Sequence, residues 1–241
     1  MNRLIVLIFF LCLQSLYGCQ KQSIEEYDDS ASSDMQSDSI FISYLALGDS
    51  YTIGEGVGMG ERYGEILCDS LRGTNIFCSF IDIVARTGWT TGDLKNGINE
   101  APLEEVYDLV SLLIGVNNQF RGLSINDYKR ELEDLIEQAI AFADDDHQRV
   151  FVLSIPDYGV TPFGIRRDGT GRISDEIDAF NDTKKEVCAA YNVSYFDITE
   201  ISRMAEDDLS LLVSDELHPS AKMYALWVDV VFDHVKAIIA E

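Results

Sequence analysis

The chain has 241 residues, 46% of them hydrophobic and 10% aromatic, which suits one packed domain and excludes a wholly disordered chain. Its 42 acidic side chains outnumber 18 Lys and Arg, so the net charge is −24 at pH 7. This charge excludes a nucleic acid as the main partner and electrostatic docking on an anionic membrane, because few cations are present to neutralise phosphates.

The first 18 residues are typical of a signal peptide. A short basic start precedes ten uncharged, mostly apolar residues, 4–13, whereas a helix that spans a bilayer needs about 20. The sequence Leu-Tyr-Gly-Cys that ends at Cys19 resembles the lipobox of bacterial lipoproteins, although Tyr17 is bulkier than the usual small residue. We predict that Cys19 is lipidated and becomes the mature N-terminus; the alternative is an ordinary signal peptide.

A tether is predicted to join Cys19 to the domain that begins at residue 41. Residues 20–40 contain six Ser and six acidic residues and few apolar side chains, a composition that favours a flexible, self-repelling segment. Gln20, rather than Asp, follows Cys19, and this resembles the sorting signal of lipoproteins in the outer membrane of a two-membrane bacterium. We therefore expect a protein of the cell envelope, anchored by lipid, on the periplasmic or the surface side.

Three of the five cysteines belong to the predicted domain, since Cys12 leaves with the signal peptide and Cys19 carries the lipid. Export implies an oxidising compartment, so Cys68 and Cys78 either form a disulfide or are buried free thiols, and Cys188 is left over. No Cys-x-x-Cys pair occurs, so a zinc site of that kind has no support.

From residue 41 to the end, segments that predict strands alternate with segments that predict helices. Near-continuous apolar strands separated by helices indicate an α/β fold with a parallel sheet covered on both faces. In such sheets ligands bind beyond the carboxyl ends of the strands. Ser174 is expected to cap one helix and Pro219 to open the last. In chain order, we predict a strand over 42–47, a helix over 59–72, strands over 79–85 and 108–114, a helix over 125–143, a strand over 149–155, a helix over 174–191, a strand over 193–197 and a helix over 219–239.

The triplet Gly48-Asp49-Ser50 follows the first predicted strand. A serine on a tight strand-to-helix turn presents its hydroxyl at the rim of the sheet with its own N–H beside it, and a glycine eases the turn. Ser50 is therefore a candidate nucleophile. Taken alone, the triplet is better explained as a turn that caps a helix.

The segment from Asp215 to His218, before the last helix, offers a base for this serine. Histidine is the usual base near neutral pH, and it needs an acceptor on its other ring nitrogen, which Asp215 supplies. The chain has three histidines, but His147 precedes a strand, at the wrong end of the sheet, and His234 lies in the last helix. We predict His218 as the base, against a structural capping role.

Two segments after strands offer donors for an oxyanion. The Asn117 amide follows the third strand, and Gly88, after the second, offers an unobstructed backbone N–H. Taken singly, Asn117 and Asn118 fit a turn, and Gly88 fits a plain turn glycine.

Ser50, Gly88, Asn117 and the Asp215/His218 pair occur in the order, and at the strand ends, of the SGNH hydrolases, also called the GDSL esterase/lipase family. The resemblance covers about residues 41–240. It implies a flavodoxin-like three-layer α/β/α sandwich, here with the five predicted strands, and metal-free ester hydrolysis without a cofactor.

The sequence departs from the family pattern at two positions. Tyr51 replaces the Leu of the name-giving motif, and Asn118 stands where an Asp often follows the asparagine. Neither change touches the proposed chemistry. In that chemistry His218 activates Ser50 and Asp215 orients His218, while the backbone N–H groups of Ser50 and Gly88 and the Asn117 side chain hold the oxyanion, as in other serine hydrolases.

The segment 156–174 is predicted to be a long loop beside the site. Tyr158, Phe163 and Ile165 are candidates for the wall of an acyl pocket, and three arginines supply scarce positive charge; Tyr51 and Asn118 are further candidates for substrate contact. The alternative is a surface loop whose arginines pair with the abundant acids. Those arginines are Arg166, Arg167 and Arg172.

Few apolar side chains, Val57 and Met59 among them, lie near Ser50 in the sequence, which favours a shallow cleft and small acyl groups. We therefore predict a monomeric, membrane-tethered esterase for small acyl esters, such as acetyl groups on glycans. The alternatives are a lysophospholipase or thioesterase that acts on lipid esters, and a non-catalytic glycan- or envelope-binding module on the same fold.

Overall fold

The computed structural model describes residues 39–240. The predicted signal peptide, Cys19 and the tether as far as residue 38 lie outside the described residues. Within 39–240, none of the helices has both the length and the apolar character that crossing a membrane requires.

Five parallel strands form one sheet in the order β2-β1-β3-β4-β5, which confirms the predicted parallel α/β fold. This order is that of flavodoxin-like folds, and the switch point between β1 and β3 is where such sheets bind ligands. The strands are β1 Ile40–Gly48, β2 Ile76–Ala85, β3 Leu109–Leu113, β4 Val150–Leu153 and β5 Ser194–Phe196.

The burial of strands β3 and β4 explains the continuous apolar runs in the sequence. Every residue of β3 and β4 is buried, because helices cover both faces of the sheet. On one face, the hydroxyls of Tyr44 and Tyr63 both bond to the Ser111 hydroxyl, at 2.8 and 3.0 Å, so this buried polar atom has its partners.

Helices flank the sheet in two packed groups. One group pairs α2 with α9, and in the other α5 contacts both α3 and α7. Residues 39–240 contain α1 Ser50–Ile53, α2 Tyr63–Arg72, α3 Thr91–Glu100, α4 Val116–Phe120, α5 Ile125–Phe142, α6 Pro162–Arg167, α7 Arg172–Ala190, α8 Thr199–Arg203 and α9 Ala221–Ala240.

Helix α2 begins at Tyr63 and not at residue 59, after a separate 3₁₀ turn, Met59–Glu61. Two further predicted helix starts were wrong. Helix α7 begins two residues before Ser174, after Gly171, whose φ of 84° is in the left-handed region. Helix α9 begins two residues after Pro219, because Pro219 pairs with Leu212 in an isolated β-bridge and belongs to the preceding turn. In both cases a neighbouring turn decides the start of the helix.

The segment 156–174 is not the unstructured loop predicted from its composition. It contains a short 3₁₀ turn, Tyr158–Val160, and the helix α6. The Thr161 hydroxyl caps α6 by accepting a hydrogen bond from the Gly164 N–H at 3.1 Å, and Pro162 occupies the first turn. The segment is therefore a folded wall rather than a loose flap.

Cys68 of α2 and Cys78 of β2 form a disulfide, which settles the choice between the two states in favour of the bond. The bond ties the helix to the edge strand of the sheet. Cys188 is a buried free thiol, and burial raises its pKa to about 12. This thiol is therefore protonated and unreactive at neutral pH.

Candidate active site

Ser50 is the first residue of the short helix α1, in the turn that follows the end of β1 at Gly48. Asp49 caps this helix, since its Oδ1 accepts a hydrogen bond from the Tyr51 N–H at 3.0 Å. A Cβ at Gly48 would lie 2.0 Å from Thr52 Oγ1, so only glycine permits this close approach. The turn therefore fixes Ser50 at the carboxyl end of a central strand, as the sequence predicts.

Two buried ionisable groups, Asp49 of this turn and Lys184 of α7, affect each other's pKa through their charges. Burial raises the pKa of Asp49 to about 7, against the opposing effects of the Tyr51 N–H and the charge of Lys184. Burial lowers the pKa of Lys184 to about 7, and the Lys184 Nζ donates to the Leu153 carbonyl at 2.8 Å. Both groups therefore change charge near neutral pH, although neither lines the pocket.

His218 and Asp215 form a short hydrogen bond in the turn before α9. Asp215 Oδ2 lies 2.6 Å from His218 Nδ1, and Asp215 Oδ1 accepts from the backbone N–H groups of Leu217 and His218, both at 2.9 Å. The carboxylate thus faces Nδ1 and favours the tautomer that leaves Nε2 as a proton acceptor.

Burial and hydrogen bonding act in opposite directions on the pKa of Asp215. Partial burial raises it, but the hydrogen bonds from His218 and Leu217 outweigh burial and hold the pKa below its usual range. Asp215 is therefore ionised at neutral pH. His218 is 8% exposed and packs against the Tyr51 ring, with ring centroids 5.6 Å apart.

A single pocket of about 130 Å³ brings four of the predicted residues together: Ser50, Gly88, Asn117 and His218. Asp215 lies behind His218 and does not line it. Within residues 39–240, no hydrogen bond joins Ser50 Oγ to His218. This contact commonly tightens only when a substrate binds.

Three donors at this pocket are suited to an oxyanion. Asn117 Nδ2 uses one hydrogen for the Trp89 carbonyl at 2.9 Å, which orients the amide and leaves its second hydrogen available. The backbone N–H groups of Ser50 and Gly88 have no acceptor in the described part of the chain. Gly88 has φ +84°, a conformation that favours glycine.

Asn118 does not contact the pocket, contrary to our prediction. Its side chain is 1% exposed and binds Thr91 twice, accepting from the backbone N–H at 3.0 Å and donating to the hydroxyl at 2.6 Å. It therefore joins α4 to the start of α3. In this way it supports the neighbouring Asn117.

The predicted acyl-pocket residues are partly correct. Tyr51, Tyr158 and Phe163 line the pocket, whereas Ile165 is 52% exposed and lies outside it. Met59 is 72% exposed and contributes nothing to the wall. The sequence analysis missed four further lining residues: Thr87, Val116, Phe120 and Leu217.

Phe120 was detectable in principle, since it lies three residues after Asn117 on the same helix α4. Its ring packs on those of Tyr158 and Phe163, with centroids 6.0 and 6.4 Å apart. These three rings form one aromatic wall of the pocket.

The other histidines lie where the sequence predicts. His147 is in a 3₁₀ turn before β4 and contacts Asn192, while His234 of α9 packs on Phe196 with ring centroids 5.1 Å apart. Among residues 39–240, no cluster of three or more His, Cys, Asp or Glu side chains is arranged to hold a metal ion.

Residues 46–226 match the model of the GDSL-like lipase/acylhydrolase family. No curated protein matches the chain.

Solved structures with the same fold share 17–20% sequence identity with the chain. A lipase/acylhydrolase from Enterococcus faecalis superimposes with a TM-score of 0.63 at 20% identity, covering 81% of this chain and 95% of that one. A psychrotrophic esterase from Pseudoalteromonas sp. gives 0.59 at 18% identity, over 83% and 99%. An acetylxylan esterase from Geobacillus stearothermophilus gives 0.62 at 17% identity, over 80% and 94%.

Proposed function

Because the chain belongs to the GDSL-like lipase/acylhydrolase family and is thus a carboxylic ester hydrolase, we propose that it is a serine esterase for short acyl groups, such as acetyl groups on glycans. The observation that carries this proposal is the shared pocket of Ser50 and His218, with Asp215 hydrogen-bonded to the far side of the imidazole. A nucleophile, a base and an orienting acceptor are the parts that acyl transfer needs.

The proposed reaction proceeds in two halves. His218 Nε2 takes the Ser50 proton while Ser50 Oγ attacks the ester carbonyl, and Asp215 stabilises the imidazolium that forms. The N–H groups of Ser50 and Gly88 and the free hydrogen of Asn117 Nδ2 stabilise the oxyanion. The alcohol leaves with the proton from His218, and water, activated by the same base, then releases the acid.

The size of the pocket supports a short acyl group. Its volume of about 130 Å³ is well below the roughly 300–1,000 Å³ of pockets that hold drug-sized ligands. The aromatic wall of Phe120, Tyr158 and Phe163 bounds this volume and leaves little room for a long chain. The pocket thus favours the esterase over the lysophospholipase or thioesterase alternative.

Hydrolysis of p-nitrophenyl esters from acetyl to palmitoyl tests this proposal. We expect turnover by the wild-type protein to be highest for the shortest esters and to be abolished in Ser50→Ala. Ser70→Ala, on α2, is the matched control and is expected to keep full turnover. No Ser50-dependent turnover on this series, or on acetylated glycans, would contradict an esterase and favour the binding module.

We further propose, from the sequence alone, that the enzyme is held in the cell envelope by a lipid on Cys19. In a bacterial host, wild-type protein is expected to partition into detergent and Cys19→Ala protein into the aqueous phase. Equal partitioning of the two would contradict the anchor and leave an ordinary signal peptide.

A further inference from the structure

A second cleft of about 450 Å³ adjoins the acyl pocket and shares Phe120 and Tyr158 with it. Four charged residues line the cleft: Glu176 is acidic, and the other three are arginines. In a chain with 18 cationic and 42 acidic side chains, this is a sharp local reversal of charge. Such a cleft attracts anions. We call it the arginine cleft, after Arg121, Arg167 and Arg172.

Two of these arginines already have carboxylate partners. Arg121 lies 3.5 Å from Asp93. Arg172 lies 2.9 Å from Glu176 and 2.7 Å from Asp168. By contrast, no carboxylate of residues 39–240 lies within 4.0 Å of the Arg167 guanidinium. Arg167 therefore carries the positive charge of the cleft that internal ion pairs leave unneutralised.

Contacts that do not neutralise its charge hold Arg167 in place. Its guanidinium carbon lies 3.8 Å from the centroid of the Phe120 ring, and its Nη2 donates to the Phe120 carbonyl at 3.0 Å. A guanidinium has five N–H donors in a planar fork that matches a carboxylate. Arg167 also interacts with the Tyr158 side chain, and its remaining donors are available to a ligand in the cleft.

The aromatic wall separates an apolar pocket from a cationic cleft. The pocket beside Ser50 is small and mostly apolar, which suits the acyl group, so the alcohol part of the ester extends elsewhere. The arginine cleft begins on the far side of Phe120 and Tyr158, and it is the larger of the two spaces.

We propose that the arginine cleft binds a carboxylate on the alcohol part of the ester, with Arg167 as its main ligand. The substrate class is then acyl esters of acidic sugars, such as uronic acids, rather than of neutral ones. This inference rests on the proposed function, because it assigns the leaving-group side of the same site.

The test compares acetate release from acetylated methyl glucuronoside and acetylated methyl glucoside, which differ by the carboxylate. We expect the wild-type kcat/KM to favour the glucuronoside and Arg167→Gln to lower that ratio about fivefold, as for a partly exposed charge-assisted pair. Arg167→Lys, which keeps the charge without the fork, is expected to retain part of the preference. Added salt is expected to lower the wild-type ratio only.

Arg130→Gln is the matched control, since Arg130 is an exposed arginine of α5 that is paired with Asp127 and lines neither space. It is expected to keep the wild-type ratio. Absence of a preference in the wild type, or equal losses for both sugars in Arg167→Gln, would overturn the proposal.

Binding measurements separate this proposal from the proposed function. Calorimetry on the Ser50→Ala protein is expected to show binding of methyl glucuronoside that is lost when Arg167→Gln is added. That result would support the cleft even if no ester were hydrolysed. Failure to bind the glucuronoside, or Arg167-dependent binding of inorganic phosphate alone, would overturn a carboxylate site whatever the esterase assays show.

Discussion

The turn that carries Ser50 and the segment between β4 and α7 border the same pocket but are built differently. The turn is buried, continues a central strand and is fixed by a backbone approach that only Gly48 allows. The segment is buried at Asp157, Tyr158 and Thr161 but is mostly exposed from residue 165 onward. Its helix α6 is joined to the His218 turn by an ion pair of 2.6 Å between Arg166 and Glu216. The chemistry thus depends on the rigid core, while the choice of substrate depends on the periphery.

The largest effect is expected where a donor on the core side is removed. Asn117→Ala is expected to lower kcat by about 10²–10³, since a lost oxyanion donor raises the barrier by about 3–4 kcal/mol. The loss should be similar for every ester tested. Kinetics on p-nitrophenyl acetate check it, with Asn99→Ala of α3 as the exposed control. A near-wild-type rate would remove Asn117 from the mechanism.

The packing of the turn is tested by Gly48→Ala. The added Cβ has no room beside Thr52, so we expect a loss of about 1–3 kcal/mol in the free energy of unfolding. Urea denaturation measures it. Gly60→Ala, where a Cβ meets nothing within 4 Å, is the control. Equal stability of the two variants would show that the turn can relax.

On the peripheral side, Phe163→Ala is expected to change preference more than rate. Removal of this ring enlarges the acyl pocket, so butyryl and hexanoyl esters should gain about tenfold in kcat/KM relative to acetyl, as for a few added methylenes. Ile165→Ala, at an exposed position of the same helix, should leave the chain-length profile as it is. Identical profiles for Phe163→Ala and wild type would exclude the aromatic wall as the limit on acyl length.

A pH-dependent effect concerns the buried carboxylate of Asp49, next to Ser50. The folded-state pKa of Asp49, about 7, lies above its unfolded value, so the fold favours the protonated form and loses stability as pH rises from 4 through 7. Asn removes this titration and keeps the acceptor for Tyr51. The stability of Asp49→Asn relative to wild type is therefore expected to increase by a few degrees in Tm across that range. A Tm difference that does not change with pH would show that Asp49 is not the group that titrates.

The sequence was most informative where long apolar runs or fixed chemistry determine the structure. The runs around 42–47 and 149–155 predicted buried strands. Chemistry directed attention to Ser50 after the first strand, to Gly88 after the second strand and to His218 before the last helix. Short helices were missed because caps and tertiary contacts, rather than hydrophobic periodicity, stabilise them. Helix α3 is an example, since its capping box of Thr90 and Asp93 was its only strong local signal.

Two partners of side chains could not be predicted, because they are distant in the sequence. Asn118 binds Thr91, 27 residues earlier, and therefore supports α4 instead of facing the substrate. Arg167 stacks on Phe120, 47 residues away, which no local pattern indicates. Only the folded chain brings these groups together.

The direction of β1 separates the start of the described domain from the pocket. The strand has nine residues, so its start at Ile40 and the turn of Ser50 lie about 30 Å apart. Ile40 and the pocket therefore lie at opposite ends of the sheet. A label or a solid support attached at Ile40 would leave the pocket open to a polymeric substrate.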